Sequence, residues 1–125
     1  MKALQLQTSR KLVIADLKKP TPAAGQVLVK IGAAALNKRD QFICQGKYPG
    51  IELPCILGSD GAGKVEAVGE DVDNSWVGKN IVINPNINWG DNPDVQQNGY
   101  AILGMPTDGT MAEYVVINQD RIHEA

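Results

Sequence analysis

Three groups of residues in this chain have the types and spacing to do chemistry. The first is Gly58 to Lys64, which satisfies G-x-x-x-x-G-K, the pattern in which backbone amides cradle phosphate and the lysine neutralises it. Such a loop needs a hydroxyl at the next position to hold magnesium, and it must open a helix. The next residue is Val65, and Lys64 to Val68 alternates polar and apolar with the period of a strand. A phosphate loop is therefore rejected, and the glycines are read as places where backbone packs on backbone. The second group is Asn37-Lys38-Arg39-Asp40, an amide, two cations and a carboxylate in succession. The third is the soft-ligand set, which is thin: Cys44, Cys55 and His123 are the only thiols and imidazole. Four-ligand structural zinc cannot be assembled from three such groups. Cys44 reads as core on a helix, Cys55 as a loop thiol with no thiolate-stabilising neighbour in sequence, and His123 as solvated at a polar strand end. Paired thiols are not expected where no secretory signal is visible.

The elements that must position these groups are mostly short strands. Met1 to Leu6 and Leu12 to Ala15 alternate around Thr8 and Ser9, predicting an edge hairpin. Pro20, Pro22 and Gly25 mark a turn before a strand at Gln26 to Ile31. Small apolar residues then lead to Asn37, a suitable N-cap for a short helix through Ile43 that ends at Gly46. Tyr48 to Pro54 reads as loop. Strands are predicted at Lys64 to Val68, Ile81 to Ile83 and Met111 to Ile117, with a long Asn-, Asp-, Pro- and Gly-rich excursion over Asn84 to Gly99. The fold class expected is mainly β (α+β), barrel-like, with one helix.

Composition removes several functions. The chain has 125 residues, a size that suits one domain over 1–125, and its 43% hydrophobic and 21% charged content is that of an ordinary globular protein. Twelve Lys and Arg stand against fourteen Asp and Glu with no basic stripe, so no nucleic-acid partner is expected. No apolar run approaches the roughly 20 residues of a membrane helix, and no signal peptide is recognisable at the start. Cytoplasmic residence and no membrane partner follow as expectations.

The run Gly58-Ser59-Asp60-Gly61-Ala62-Gly63 followed by Lys64 to Gly69 resembles the signature G-H-E-x-x-G-x-x-x-x-x-G of the medium-chain dehydrogenase/reductases, with Gly58, Gly63 and Gly69 in register. The flanks agree: Ala35 to Asp40 ahead of Gly46, Pro54 before the run, Val77 to Val82 after it, and Asp108-Gly109-Thr110-Met111-Ala112-Glu113-Tyr114-Val115 near the end. The resemblance covers essentially the whole chain. It implies a GroES-like, partly open β-barrel that forms the substrate side of an alcohol dehydrogenase or quinone oxidoreductase type enzyme, and a small-molecule substrate. It also implies a nicotinamide cofactor, NADP or NAD, and a homo-oligomeric full-length protein. In the zinc-dependent members the helix-start position is a cysteine ligand and the second signature residue a histidine ligand. Here they are Asn37 and Ser59, and the stretch Asn84 to Pro106, where relatives carry a four-cysteine lobe, has no cysteine. The zinc-independent branch, with no metal ligands, is therefore expected.

Within that resemblance Asn37, Ser59 and Asp60 are the candidate catalytic residues. Lys38, Arg39, Tyr48, Asn84 and Trp89 are candidates for the substrate wall, and Asn37 also for contact with the cofactor. Each has a plainer reading beside it: a helix cap for Asn37, a solvated face for Lys38 and Arg39, a turn hydroxyl for Ser59, packing for Tyr48, Asn84 and Trp89. The Rossmann domain expected to bind the dinucleotide does not occur before Ala125, so the chain is expected to be cut off before it and to be inactive alone. A free-standing GroES-like binding module, similar to a chaperonin cap, is the alternative.

Overall fold

A computed structural model describes all 125 residues. The predicted hairpin forms: β1 (Lys2–Thr8) pairs antiparallel with β2 (Lys11–Asp16), and Arg10 at the turn takes a positive φ of 64°. β3 runs over Gln26–Ala35, so the small residues expected to follow the strand extend it instead. They can do so because β5 lies directly opposite, beyond α1 (Lys38–Cys44) and the two-residue strand β4 (Cys55–Ile56).

β5 spans Asp60–Val68. Gly61 and Gly63 of the glycine run thus lie inside the strand, while Gly58 precedes it and Gly69 follows it. Ile31 faces Gly63, where a Cβ would stand 2.0 Å from the Lys30 carbonyl oxygen, so only glycine lets the two backbones meet. Gly58, at φ 101°, turns the chain into this strand against Thr110 and Met111.

The later strands are β6 (Asn80–Ile83), β7 (Asn86–Ile87), β8 (Ala101–Ile102), β9 (Tyr114–Asn118) and β10 (Ile122–Glu124). They join into a three-stranded sheet β2-β1-β4, a five-stranded sheet β10-β6-β5-β3-β9 and a small β7-β8 ribbon inside the predicted excursion. The result is the mainly β domain with one helix that was expected, and its barrel is not closed. No helix is long and apolar enough to cross a membrane.

Two cores hold these layers together. The larger is built by alternate residues of the five-stranded sheet, among them Val27, Val29, Val65, Ile81, Val115 and Ile117. The smaller unites Leu6 of β1, Ile43 of α1, Cys55, Leu57 and Met105, with Cys44 and Tyr48 packed at its margin. Burial of these apolar faces is the main stabilising term. This second core matters for function, because it fixes α1 against Cys55 and Leu57, just ahead of Gly58.

Candidate functional site

The helix start and the signature turn meet. Asn37 caps α1 in an extended conformation, and its backbone N–H donates to Asp40 Oδ2 at 2.9 Å. Asp40, only 2% exposed, uses its other oxygen to accept from the backbone N–H of Gly58 at 3.1 Å. One buried carboxylate therefore pins the helix N-terminus to the turn that presents Ser59 and Asp60. Such charge-assisted bonds are the strong class.

Above this pin the side chain of Asn37 reaches across to Asp60, Nδ2 donating to Oδ2 at 2.8 Å, with both residues exposed. Asp60 is fixed from behind, since its backbone carbonyl accepts from the Thr110 hydroxyl at 2.8 Å. Ser59 is 5% exposed and donates its hydroxyl proton to the Leu103 carbonyl at 2.7 Å. Arg39, half-buried, donates from Nε to the Tyr48 hydroxyl at 3.2 Å and from its two terminal nitrogens to Ser59 Oγ at 3.4 Å and the Met105 carbonyl at 2.6 Å. Its guanidinium also lies 5.0 Å from the centroid of the Tyr48 ring.

The predicted site residues therefore divide. Asn37, Arg39, Tyr48, Ser59 and Asp60 form one polar cluster, and Lys38 stands exposed at its edge. Lys38 and Asn37 border a cleft of about 480 Å³ with Leu36, Gln41 and Leu57. Asn84 and Trp89 belong elsewhere. Asn84 Oδ1 accepts from the backbone and side chain of Asn86, and Trp89 packs edge-on against Tyr100 at 5.2 Å while donating Nε1 to the Asn92 carbonyl. Both serve the β7-β8 lobe.

Three members of the cluster escaped sequence reasoning as site residues. Asp40 sits at the third helical position, and its capping-box spacing to Asn37 was the available signal. The carbonyls of Leu103 and Met105 carried none, because a backbone acceptor leaves no mark on residue type. Cys55 lies on β4 rather than in a loop, and Cys44 and Cys55 are both free thiols. Burial raises the pKa of Cys55, the carboxylate of Asp108 adds to the rise, Arg39 opposes it and Asp40 reinforces it. Cys55 is thus held as an unreactive thiol.

A cavity of about 540 Å³ lies between β1, β4 and β9, with Gln5, Ile56, Leu103, Val115 and Ile117 on its walls, and of the cluster it shares only Leu103.

Residues 23–125 match the family of the alcohol dehydrogenase GroES-like domain. The chain belongs to this family. Among curated relatives of this alcohol dehydrogenase type, a zinc-type alcohol dehydrogenase-like protein of Schizosaccharomyces pombe is 43% identical over 94 residues, covering 74% of this chain and 27% of its own length. The starvation-sensing protein RspB of Escherichia coli is 32% identical over 124 residues, covering 94% of this chain and 36% of its own. The crystal structure of an RspB alcohol dehydrogenase from E. coli, complexed with NADH, superimposes with a TM-score of 0.90 at 28% identity, over 99% of this chain and 38% of that one. An NAD-dependent alcohol dehydrogenase structure gives a TM-score of 0.89 at 35% identity, over 99% and 39%. The GroES-like chain thus spans between a quarter and two fifths of the length of these relatives, and it falls within the medium-chain dehydrogenase/reductase superfamily.

Proposed function

We propose that this chain is the substrate-side domain of a nicotinamide-dependent oxidoreductase, homo-oligomeric and cytoplasmic at full length, that moves hydride to or from a carbonyl or activated alkene without zinc. Domain 1–125 supplies one wall of the cleft, and a nucleotide-binding domain supplies the other. The RspB structure with NADH and the NAD-dependent neighbour support the cofactor class, NAD or NADP.

The observation that carries the zinc-free reading is the donor set around Asn37. Asn37 offers an amide whose nitrogen donates to Asp60, and Ser59 offers a hydroxyl already spent on Leu103. Neither replaces a thiolate or an imidazole as a zinc ligand. The guanidinium of Arg39 stands 3.4 Å from Ser59 Oγ, so a dication bound there would face a fixed cation. These residues do not fit zinc.

The glycine run from Gly58 to Gly63 leads into β5 and opens no helix, so it is no phosphate cradle for the dinucleotide. When bound, the nicotinamide supplies or accepts the hydride. The remaining work falls to the residues of this wall. Reduction of a carbonyl builds negative charge on oxygen, and preorganised donors aimed at that charge are where stabilisation acts. Asn37 keeps one amide proton free after bonding Asp60, and Asp60 fixes the orientation of that amide. Lys38 adds an exposed ammonium without an ion-pair partner. Ser59, its proton committed, positions Arg39 rather than reaching substrate.

The test is metal analysis of the full-length protein together with aldehyde- and quinone-dependent oxidation of NADH and NADPH. Expected are turnover, no stoichiometric zinc and rates unchanged by 1,10-phenanthroline. One zinc per chain with activity lost on chelation overturns the reading.

A further inference from the structure

We propose that Arg39 recognises an anionic group, a carboxylate or a phosphate, on the substrate; the inference rests on the reaction proposed above. Its guanidinium is held by three oxygens, all neutral: the Tyr48 hydroxyl, Ser59 Oγ and the Met105 carbonyl. The ion pairs of the chain are Met1 with Asp16, Lys19 with Glu66, Lys79 with Glu124 and Arg121 with Asp120, and none involves Arg39.

The carboxylates of the cluster are engaged otherwise. Asp40 spends both oxygens on the N–H groups of Asn37 and Gly58, and Asp60 takes the amide of Asn37. A half-buried positive charge is thus left without an ion-pair partner in the wall, in a chain whose net charge is −2. Lys38, next to it, is unpaired as well. A neutral donor would tie Ser59 and Met105 together without the desolvation that a cation costs.

The remaining donors match a forked anion in number. Of the five N–H groups of arginine, three are committed, and one remains on each terminal nitrogen, the number a carboxylate or phosphate takes bidentately. Tyr48 and Met105 hold the fork in place, so little side-chain freedom is left to lose on binding.

The experiment uses the full-length protein with nicotinamide and three aldehydes: neutral butanal, 4-oxobutanoate with a carboxylate, and glyceraldehyde 3-phosphate. One of the two anions is expected to exceed butanal at least tenfold in kcat/KM, and which one identifies the group. Arg39→Gln is expected to abolish that preference through KM, the preferred anionic aldehyde losing at least tenfold more in kcat/KM than butanal, a split that a purely structural tie would not give. Equal losses on all three substrates, or a preference for butanal, overturn the proposal. Should Arg39→Gln fail to fold, Arg39→Lys decides, because an ammonium keeps the charge without the fork; several-fold loss of anion preference supports the proposal and an unchanged preference overturns it. If none of the aldehydes is turned over, the oxidoreductase reading is what has failed, and the anion site is judged by melting temperature in succinate and in inorganic phosphate. Stabilisation of the wild type but not of the Arg39 variant supports it; no stabilisation of either refutes it.

Discussion

Replacing Asp40 by Ala isolates the pin between α1 and the signature turn. The carboxylate is 2% exposed and accepts from two backbone N–H groups, at 2.9 Å from Asn37 and 3.1 Å from Gly58. Hydrogen bonds to a charged group contribute about 1.5–3 kcal/mol each, and a buried donor left without a partner costs its desolvation outright. Gly58 is buried and cannot recruit water, so its bond counts in full, whereas the exposed Asn37 can be resolvated. The sum is a loss of about 3–4 kcal/mol for Asp40→Ala, against under about 1 kcal/mol for Asp60→Ala, whose exposed carboxylate holds only the Asn37 amide. With a urea slope near 2 kcal/mol per molar, the midpoint should fall by roughly 1.5–2 M for the first variant and by less than about 0.5 M for the second. Urea titration followed by circular dichroism measures both. Equal midpoints for the two variants would refute the account of Asp40 as the buried fastener of the site.

Further outcomes are expected elsewhere. Gly63→Ala should unfold the domain or cost more than about 3 kcal/mol in the same assay, since its Cβ would lie 2.0 Å from the Lys30 oxygen and the two central strands would have to part. Trp89→Ala should increase proteolytic cleavage within residues 88–100 while moving the global melting temperature little, because the Trp89–Tyr100 contact is internal to the lobe. Iodoacetamide at mildly alkaline pH should label Cys44 well before Cys55, whose thiol is buried and raised in pKa; equal rates would contradict that burial. Glu66 should titrate below the ordinary glutamate range because Lys19 donates to it, with a return toward normal in Lys19→Met followed by NMR. Its contribution to stability is present above the unfolded carboxylate pKa and fades as pH falls through the folded value, and Lys19, raised by the same pair, loses its contribution as pH rises through its own folded value.

Periodicity and turn chemistry made much of the scaffold legible. The β1-β2 hairpin, the capped helix ending at Gly46 and the strand through Val65 stand where alternation, Asn37 and the glycines indicated. What was not legible has physical causes. Ala33 to Ala35 joined β3 because a glycine-rich partner strand lay across from them, a tertiary effect invisible to local propensity. The two-residue strands β4, β7 and β8 are too short for any period to show. At the site, adjacency in sequence foretold Asn37 with Arg39, and Ser59 with Asp60, and the structure brings the two pairs within hydrogen-bonding reach of each other. The separation of Asn84 and Trp89 from that cluster could not be foretold, because a loop's destination is set by what it packs on.

The order of the larger sheet also bears on how the chain is made. β3 takes β9 as one neighbour, Gln26 opposite Asn118, so its edge waits for a strand about 90 residues further on, the kind of distant pairing that slows folding. At roughly 5–20 residues per second of synthesis, that interval is about 5–20 s. Once β5 has been made β3 can pair on that side only, and its other row of amides and carbonyls stays open to any extended segment nearby. Expression should therefore reward conditions that shorten or shield this interval, and the open flank of β3 is where a ribosome-bound nascent chain would first need a chaperone.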